Sequence, residues 1–372
     1  MTWEERNSSA YRSSLVTSGR NPFVETTLSY VLSYISSLTK SHTLAPIQIT
    51  ILADNDYYSK PSTTEWDSAS RFTNFNIPLP SAHKTGLGSS AALVTSLTAS
   101  LMSHYLTSDQ LSLKSSTGLA QLHNLSQAAH CAAQGKVGSG FDVAAAVYGT
   151  CIYRRFSPSL LSSIGEPGNA GFASKLRECI KDERNLWDTE VQKEGLNIPK
   201  GMQLLMCDVD CGSATPGMVK NVLAWRSKSQ ESSKKLWDTL QQANTNLASK
   251  LQDGTETGLQ QALLNIRKLI KQMGEESGVE IEPQTQTDLL NEVSAVSGVI
   301  GGVVPGAGGY DAVVLLVKDD ENTIRRIKSF LIQWSTKTDS TVRLLDVKGE
   351  LEGIRHEPLE LYQGWFSKVE KN

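Results

Sequence analysis

Lys84-Thr-Gly-Leu-Gly-Ser-Ser-Ala-Ala, residues 84–92, says more about this chain than any other stretch of it. Gly86 and Gly88 let backbone N–H groups turn inward with no Cβ in the way. Ser89 and Ser90 then place hydroxyls where a run of small residues opens a helix that continues to about Tyr105. A helix N-terminus carries unpaired N–H donors and partial positive charge, so the stretch fits either an ordinary helix start or a bound phosphate. Ala91 and Ala92 keep the first turn small, which favours phosphate. No lysine follows the last glycine, so the stretch is not a GxxxxGK[ST] nucleotide loop. It does match the degenerate dinucleotide pattern G-x-G-x-x-A, but that pattern requires a buried strand directly ahead of its first glycine. Ile77-Pro-Leu-Pro-Ser-Ala-His-Lys stands there instead, with two prolines.

Further along, Gln134-Gly-Lys-Val-Gly-Ser-Gly-Phe-Asp-Val-Ala-Ala-Ala puts Asp142 at the start of a second small-residue helix, 141–146, behind Gly135, Gly138 and Gly140. A carboxylate in that position serves as a helix-start charge or as a general base with Lys136 and Ser139 beside it. Val304-Pro-Gly-Ala-Gly-Gly-Tyr-Asp lies between two strand-like runs, 299–304 and 312–317. A hairpin turn needs one or two glycines. Gly306, Gly308 and Gly309, with Ala307 among them, mark a loop kept bare so that it can lie against a ligand or another loop. Gly212-Ser-Ala-Thr, after a strand at 203–208, is a helix cap or an anion contact through Ser213.

The 372 residues are 39% hydrophobic and 20% charged, enough to bury a sizeable core. A net charge of −3 argues against a sequence-independent nucleic-acid binder. No apolar run approaches the roughly 20 residues of a membrane span. Five scattered cysteines are expected to be reduced thiols, consistent with a cytoplasmic protein, and Cys207 with Cys211 lacks the second pair that a zinc site needs. Residues 1–20 are aperiodic and are expected to form a loose leader. Asn21-Pro caps a helix over 22–38. Residues 47–53 alternate as a strand, and 54–71 form a long loop. A helix over 117–134, a strand over 150–156 and a seam at Pro158, Gly165, Pro167 and Gly168 complete a first domain, 21–165. In the second, 166–372, helices fill about 215–277 and 284–297, and a helix (321–334) and strand (341–347) follow the glycine loop. Elements interleave with neither a regular βαβ alternation nor an internal repeat, so the fold class is α+β in two lobes.

Taken in order, the three glycine segments resemble those of the GHMP small-molecule kinases, and among them the eukaryotic, fungal-type phosphomevalonate kinases. The likeness rests on residues 80–92, on Ala129-His-Cys-Ala-Ala-Gln-Gly-Lys-Val-Gly-Ser-Gly-Phe-Asp-Val-Ala-Ala-Ala, and on Ile281-Glu-Pro through Pro305-Gly-Ala-Gly-Gly-Tyr-Asp-Ala. Asn21-Pro-Phe, Tyr153-Arg-Arg-Phe and the surroundings of Trp225 are similar too. The resemblance implies a two-lobed fold with its active site in the inter-lobe cleft. It also implies transfer of the γ-phosphoryl of ATP to (R)-5-phosphomevalonate, a step of the mevalonate route to isopentenyl diphosphate and sterols such as ergosterol. By the same resemblance residues 86–91 (Gly86, Leu87, Gly88, Ser89, Ser90, Ala91) wrap the ATP phosphates, and Ser89 or Ser90 helps hold Mg²⁺. Asp142 and Lys84 are catalytic. Lys136, Ser139, Gly140, Ser213, Gly306, Ala307, Gly308 and Gly309 lie on the substrate side. The acceptor is already a phosphate oxygen, so Asp142 orients it and balances Mg²⁺ more than it abstracts a proton. The partner is the small-molecule substrate, with neither nucleic acid nor membrane, and the chain is a monomer or a homodimer. Mevalonate kinases and diphosphomevalonate decarboxylases are alternatives that the Gly-Ser-Gly-Phe-Asp string disfavours. A non-catalytic, ligand-binding homologue is the alternative outside enzymes. The family's lysine-bearing strand ahead of Gly-Gly-Tyr has no counterpart before Asn21, so the N-terminal domain is expected to be incomplete at its start and the chain a weak catalyst.

Overall fold

The computed structural model describes residues 2–6, 10–14, 20–39, 44–59, 71–72, 82, 84–193, 198–209, 215–338, 340–347, 349–362 and 365. The chain divides into two compact units: 1–53 with 88–194 and 350–372, and 54–87 with 195–349.

The first unit opens with strands β1 (Thr2–Arg6) and β2 (Ala10–Ser14), paired antiparallel from Thr2 opposite Ser14 to Arg6 opposite Ala10. This corrects the expected loose leader: cross-strand hydrogen bonding needs no long-range amphipathic period to form a hairpin. Helix α1 (Pro22–Leu38) begins as its sequence dictates, with Asn21 Oδ1 accepting from the N–H of Phe23 at 3.1 Å and of Val24 at 3.4 Å. There follow α2 (Ser89–Tyr105), α3 (Ser116–Gln134), α4 (Phe141–Tyr148), β3 (Ile152–Arg154), α5 (Phe172–Lys181) and β4 (Glu190–Gln192). Helix α1 packs against α2, α3 and α5, burying Val31, Tyr34 and Ile35 with Val94, Met102, Leu122, Leu125, Leu176 and Ile180. Each such side chain contributes roughly 1.5–3 kcal/mol on burial. The strand expected over 150–156 is only the three residues of β3, paired with β4.

Two expectations are corrected here. Residues 47–53 form no strand, and Ile47, Ile49 and Ile51 are 37%, 40% and 47% exposed. Alternation supplies a face, but a strand exists only through a hydrogen-bonded neighbour, and no described residue pairs with this segment. The domain boundary at 165/166 is also displaced. Phe172, Leu176 and Ile180 of α5 lie in the first unit's core, which therefore runs on to residue 194. Residues 350–354 return to the same unit, where Thr150 N–H donates to Glu350 O at 3.0 Å and Ile354 N–H to Val147 O at 3.2 Å.

The second unit holds β5 (Met202–Val209), α6 (Thr215–Lys228), α7 (Gln230–Gln252), α8 (Leu259–Ser277), α9 (Gln284–Ser294), β6 (Val299–Val303), β7 (Ala312–Lys318), α10 (Glu321–Thr338) and β8 (Val342–Leu344). Its four strands form an antiparallel sheet in the order β6-β7-β5-β8. Leu205, Cys207, Val313, Leu315 and Val317 face α9 and α10, whereas Leu316 meets Leu259 and Leu263 of α8. With both faces covered, β7 reads as the unbroken apolar run 312–317 rather than an alternation. Helices and an antiparallel sheet in two units bear out the α+β expectation.

Candidate active site

Two helix N-termini meet in the first unit. Gly88 is the N-cap of α2 at φ +73°, Gly140 is the N-cap of α4 at φ +73°, and neither N-cap residue has a side chain to offer the first-turn N–H groups. The first-turn N–H groups, those of Ser89, Ser90 and Ala91 in α2, thus have no acceptor within their own helix. A Cβ added to Gly88 would stand 3.5 Å from Asp142 Cβ, so the carboxylate at the start of α4 lies directly beside the start of α2. Gly140 is required twice over, by its φ and by Gln127, whose Nε2 would be 2.7 Å from an added Cβ and donates to Gly140 O at 2.7 Å. Arg155 pins the intervening loop through a 2.8 Å bond from Nη1 to Gly138 O.

Joining these starts is His130, a residue that sequence reasoning did not single out. Its ring is buried, 3% exposed, against Phe23 at 5.6 Å between centroids. His130 Nε2 lies 3.1 Å from Ser90 Oγ, 3.3 Å from Gln134 Nε2 and 4.0 Å from Asp142 Oδ2. Both Gln134 Nε2, an amide donor, and the Ser90 hydroxyl reach this one ring nitrogen, whose single lone pair in the neutral ring takes one of them at a time. The available signal was the spacing: His130 and Gln134, four apart in the last turns of α3, stand directly before the glycine loop. Asp142 Oδ1 accepts from Val143 N–H at 2.9 Å, and its side chain is 25% exposed. Burial pushes the neighbouring Cys131 thiol up, out of the range of a reactive thiolate at neutral pH.

The other residues singled out in the sequence lie as follows. Lys136 and Ser139 are exposed on the loop before α4. Lys84, Gly86 and Leu87 belong to the second unit. There Lys84 is exposed and bridges Tyr58 through the backbone, and Leu87 packs with Met206, Ala312 and Leu345. Thr85 is fully buried between them, its hydroxyl donating to Asp56 O at 2.6 Å. Gly306, Gly308 and Gly309 all take positive φ, 63°, 79° and 100°, and Gly309 N–H donates to Ile281 O at 2.8 Å. That bare loop, which includes Ala307, therefore lies against another segment of its own unit. Ser213 falls outside the described residues.

The donors fit a magnesium ion better than a softer metal. Among the described residues no group of three or more His, Cys, Asp and Glu side chains could hold a metal. The Ser90 hydroxyl and the Asp142 carboxylate are hard oxygen donors beside a helix start whose first-turn N–H groups have no acceptor within the helix. Mg²⁺ is usually held by one or two such protein groups, with substrate phosphates and water completing the shell.

Comparison with known proteins gives the family of the chain. Residues 64–150 match the GHMP kinases N terminal domain. The chain is 56% identical to a phosphomevalonate kinase of Gibberella zeae, over 93% of this chain and 78% of that protein. It is 47% identical to one of Aspergillus fumigatus (93% and 75%) and 36% identical to one of Candida albicans (92% and 81%). The crystal structure of the Lin0012 protein from Listeria innocua shares the fold, with a TM-score of 0.65 over 90% of this chain and 83% of that one, at 17% identity.

Proposed function

Since the chain belongs to the phosphomevalonate kinase family of the GHMP kinases, we propose that it transfers the γ-phosphoryl of ATP to (R)-5-phosphomevalonate. The products are 5-diphosphomevalonate and ADP, on the mevalonate route to isopentenyl diphosphate and sterols. The observation that carries this reading is the pair of glycine-led helix starts, with Asp142 in the first turn of α4 beside the start of α2. Phosphoryl transfer asks a protein mainly for positioning and charge stabilisation. Ser89, Ser90 and Ala91 offer N–H groups to phosphate oxygens, and Gly88 lets those oxygens approach the backbone. Asp142 orients the acceptor phosphate, which needs little deprotonation. Ser90 and Asp142 would hold Mg²⁺, with Ser89 the alternative hydroxyl, and when bound the ion would supply neutralisation of phosphate charge. The resemblance that makes Lys84 catalytic and assigns Gly86 and Leu87 to the nucleotide phosphates assigns Lys136, Ser139, Gly140, Ser213 and residues 306–309 to the phosphomevalonate. A cytoplasmic location accords with Cys131, Cys151, Cys179 and Cys207, which form no disulfide.

Steady-state release of ADP tests the reading directly, with mevalonate, 5-phosphomevalonate and 5-diphosphomevalonate offered in turn. Turnover is expected with 5-phosphomevalonate. A preference for either other substrate moves the chain to a sister activity, and ATP binding without turnover makes it a ligand-binding homologue.

A further inference from the structure

The connection between α8 and α9, residues 278–283, makes more contacts with the glycine loop than a linker needs. Ile281 O accepts from Gly309 N–H at 2.8 Å. A Cβ on Gly308 would lie 2.3 Å from that same carbonyl oxygen, so only glycine can seat the loop there. On either side, Tyr310 Oη donates to Glu280 Oε2 at 2.7 Å, and Gln286 Nε2 donates to Tyr310 O at 2.6 Å. The connection is itself anchored by a buried ion pair. Arg267 on α8 meets Glu282 through Nε at 3.2 and 3.1 Å and through Nη2 at 2.6 Å. Its Nη1 donates to Asn291 Oδ1 at 3.1 Å, and Thr287 Oγ1 donates to Glu282 Oε1 at 3.0 Å.

We propose that residues 278–283 are a clamp that fixes the conformation of loop 306–310 for the phosphomevalonate it binds, with Arg267 and Glu282 as positioning residues. The assignment of that loop to the substrate rests on the function proposed above; the clamp does not. A buried pair of this kind is a poor source of net stability, since apolar residues of similar volume often replace one at no loss. The directional bonds that Arg267 gives to Asn291 and that Glu282 accepts from Thr287 set register, which apolar side chains cannot do.

The test compares the full chain with Arg267→Met/Glu282→Met and with Tyr310→Phe, by hydrogen exchange and by calorimetric binding of 5-phosphomevalonate. In the double variant, exchange in the peptide spanning 305–311 is expected to rise about tenfold, while strand β5 of the same unit exchanges as before. Tyr310→Phe, which removes one hydroxyl from a half-buried ring, is expected to give a rise of about threefold and decides the matter if the double variant does not fold. Affinity for 5-phosphomevalonate is expected to fall about tenfold or more in step with exchange. Unchanged exchange in 305–311 overturns the clamp, whether or not the parent chain turns over. Faster exchange with unchanged affinity overturns the positioning role. A parent chain that neither binds nor phosphorylates 5-phosphomevalonate counts against the proposed function, and exchange then decides the clamp by itself.

Discussion

Asp142 has one oxygen committed to Val143 N–H at 2.9 Å and the other 4.0 Å from the ring of His130. Asparagine in its place keeps the shape and loses the charge. Asp142→Asn is therefore expected to cut kcat by about 10²–10⁴ while circular dichroism and ATP affinity stay at parent values. Retention of more than about a tenth of kcat would remove Asp142 from the chemistry. His130→Leu fills similar space but offers Ser90 no ring nitrogen. Losing one neutral hydrogen bond of about 0.5–1.5 kcal/mol should weaken nucleotide binding by up to roughly tenfold. Equal calorimetric affinity would make His130 core filler. The i, i+4 spacing of His130 and Gln134 was legible in the sequence, but the contacts with Ser90 and Asp142 were not, because those residues come from two other helices.

Among the elements, the start of α2 is the most exacting. Gly88 sits at φ +73° with Asp142 Cβ 3.5 Å from where its own would be. In Gly88→Val a branched side chain would enter the space between two helix starts and resist that φ. ATP affinity is expected to fall at least tenfold by calorimetry, and an unchanged value would reduce the loop to a plain helix start. The helices were legible because their signals are local: Asn21-Pro22 opens α1, and Gly135 in the left-handed region closes α3. The paired turn before β7 was legible for the same reason. Residues 47–53 were not, since alternation cannot say whether a partner strand exists. Nor was the division between units, because the seam after Pro158 looks in sequence like a boundary, and only the burial of α5 against α1 shows that it is not.

At the scale of the molecule, acid should act first on the unit built around α3. Burial pushes the His123 imidazole down from 6.5 to about 4. Its Nδ1 lies 3.1 Å from Asn124 Oδ1 and its Nε2 3.1 Å from Gln127 Nε2, an arrangement that suits the neutral ring. The unfolded chain binds a proton below 6.5 that the folded one refuses until about 4, so stability falls as pH drops through that window. The gap corresponds to roughly 3 kcal/mol. Urea midpoints should decline from pH 7 to pH 4.5, and His123→Gln should flatten that slope; an equal slope in both proteins would place the acid sensitivity elsewhere. The return of residues 350–354 to Val147 and Thr150 also bears on how the protein is made. A ribosome delivers α1 to α5 long before it delivers that last tie, so the first unit must wait through the whole synthesis of the second with Gly149 uncovered. Gly353, whose added Cβ would stand 2.2 Å from Val147 O, is then a late-closing latch, and pulse-labelled nascent chains should resist protease at 147–150 only once residues 350–354 have left the ribosome.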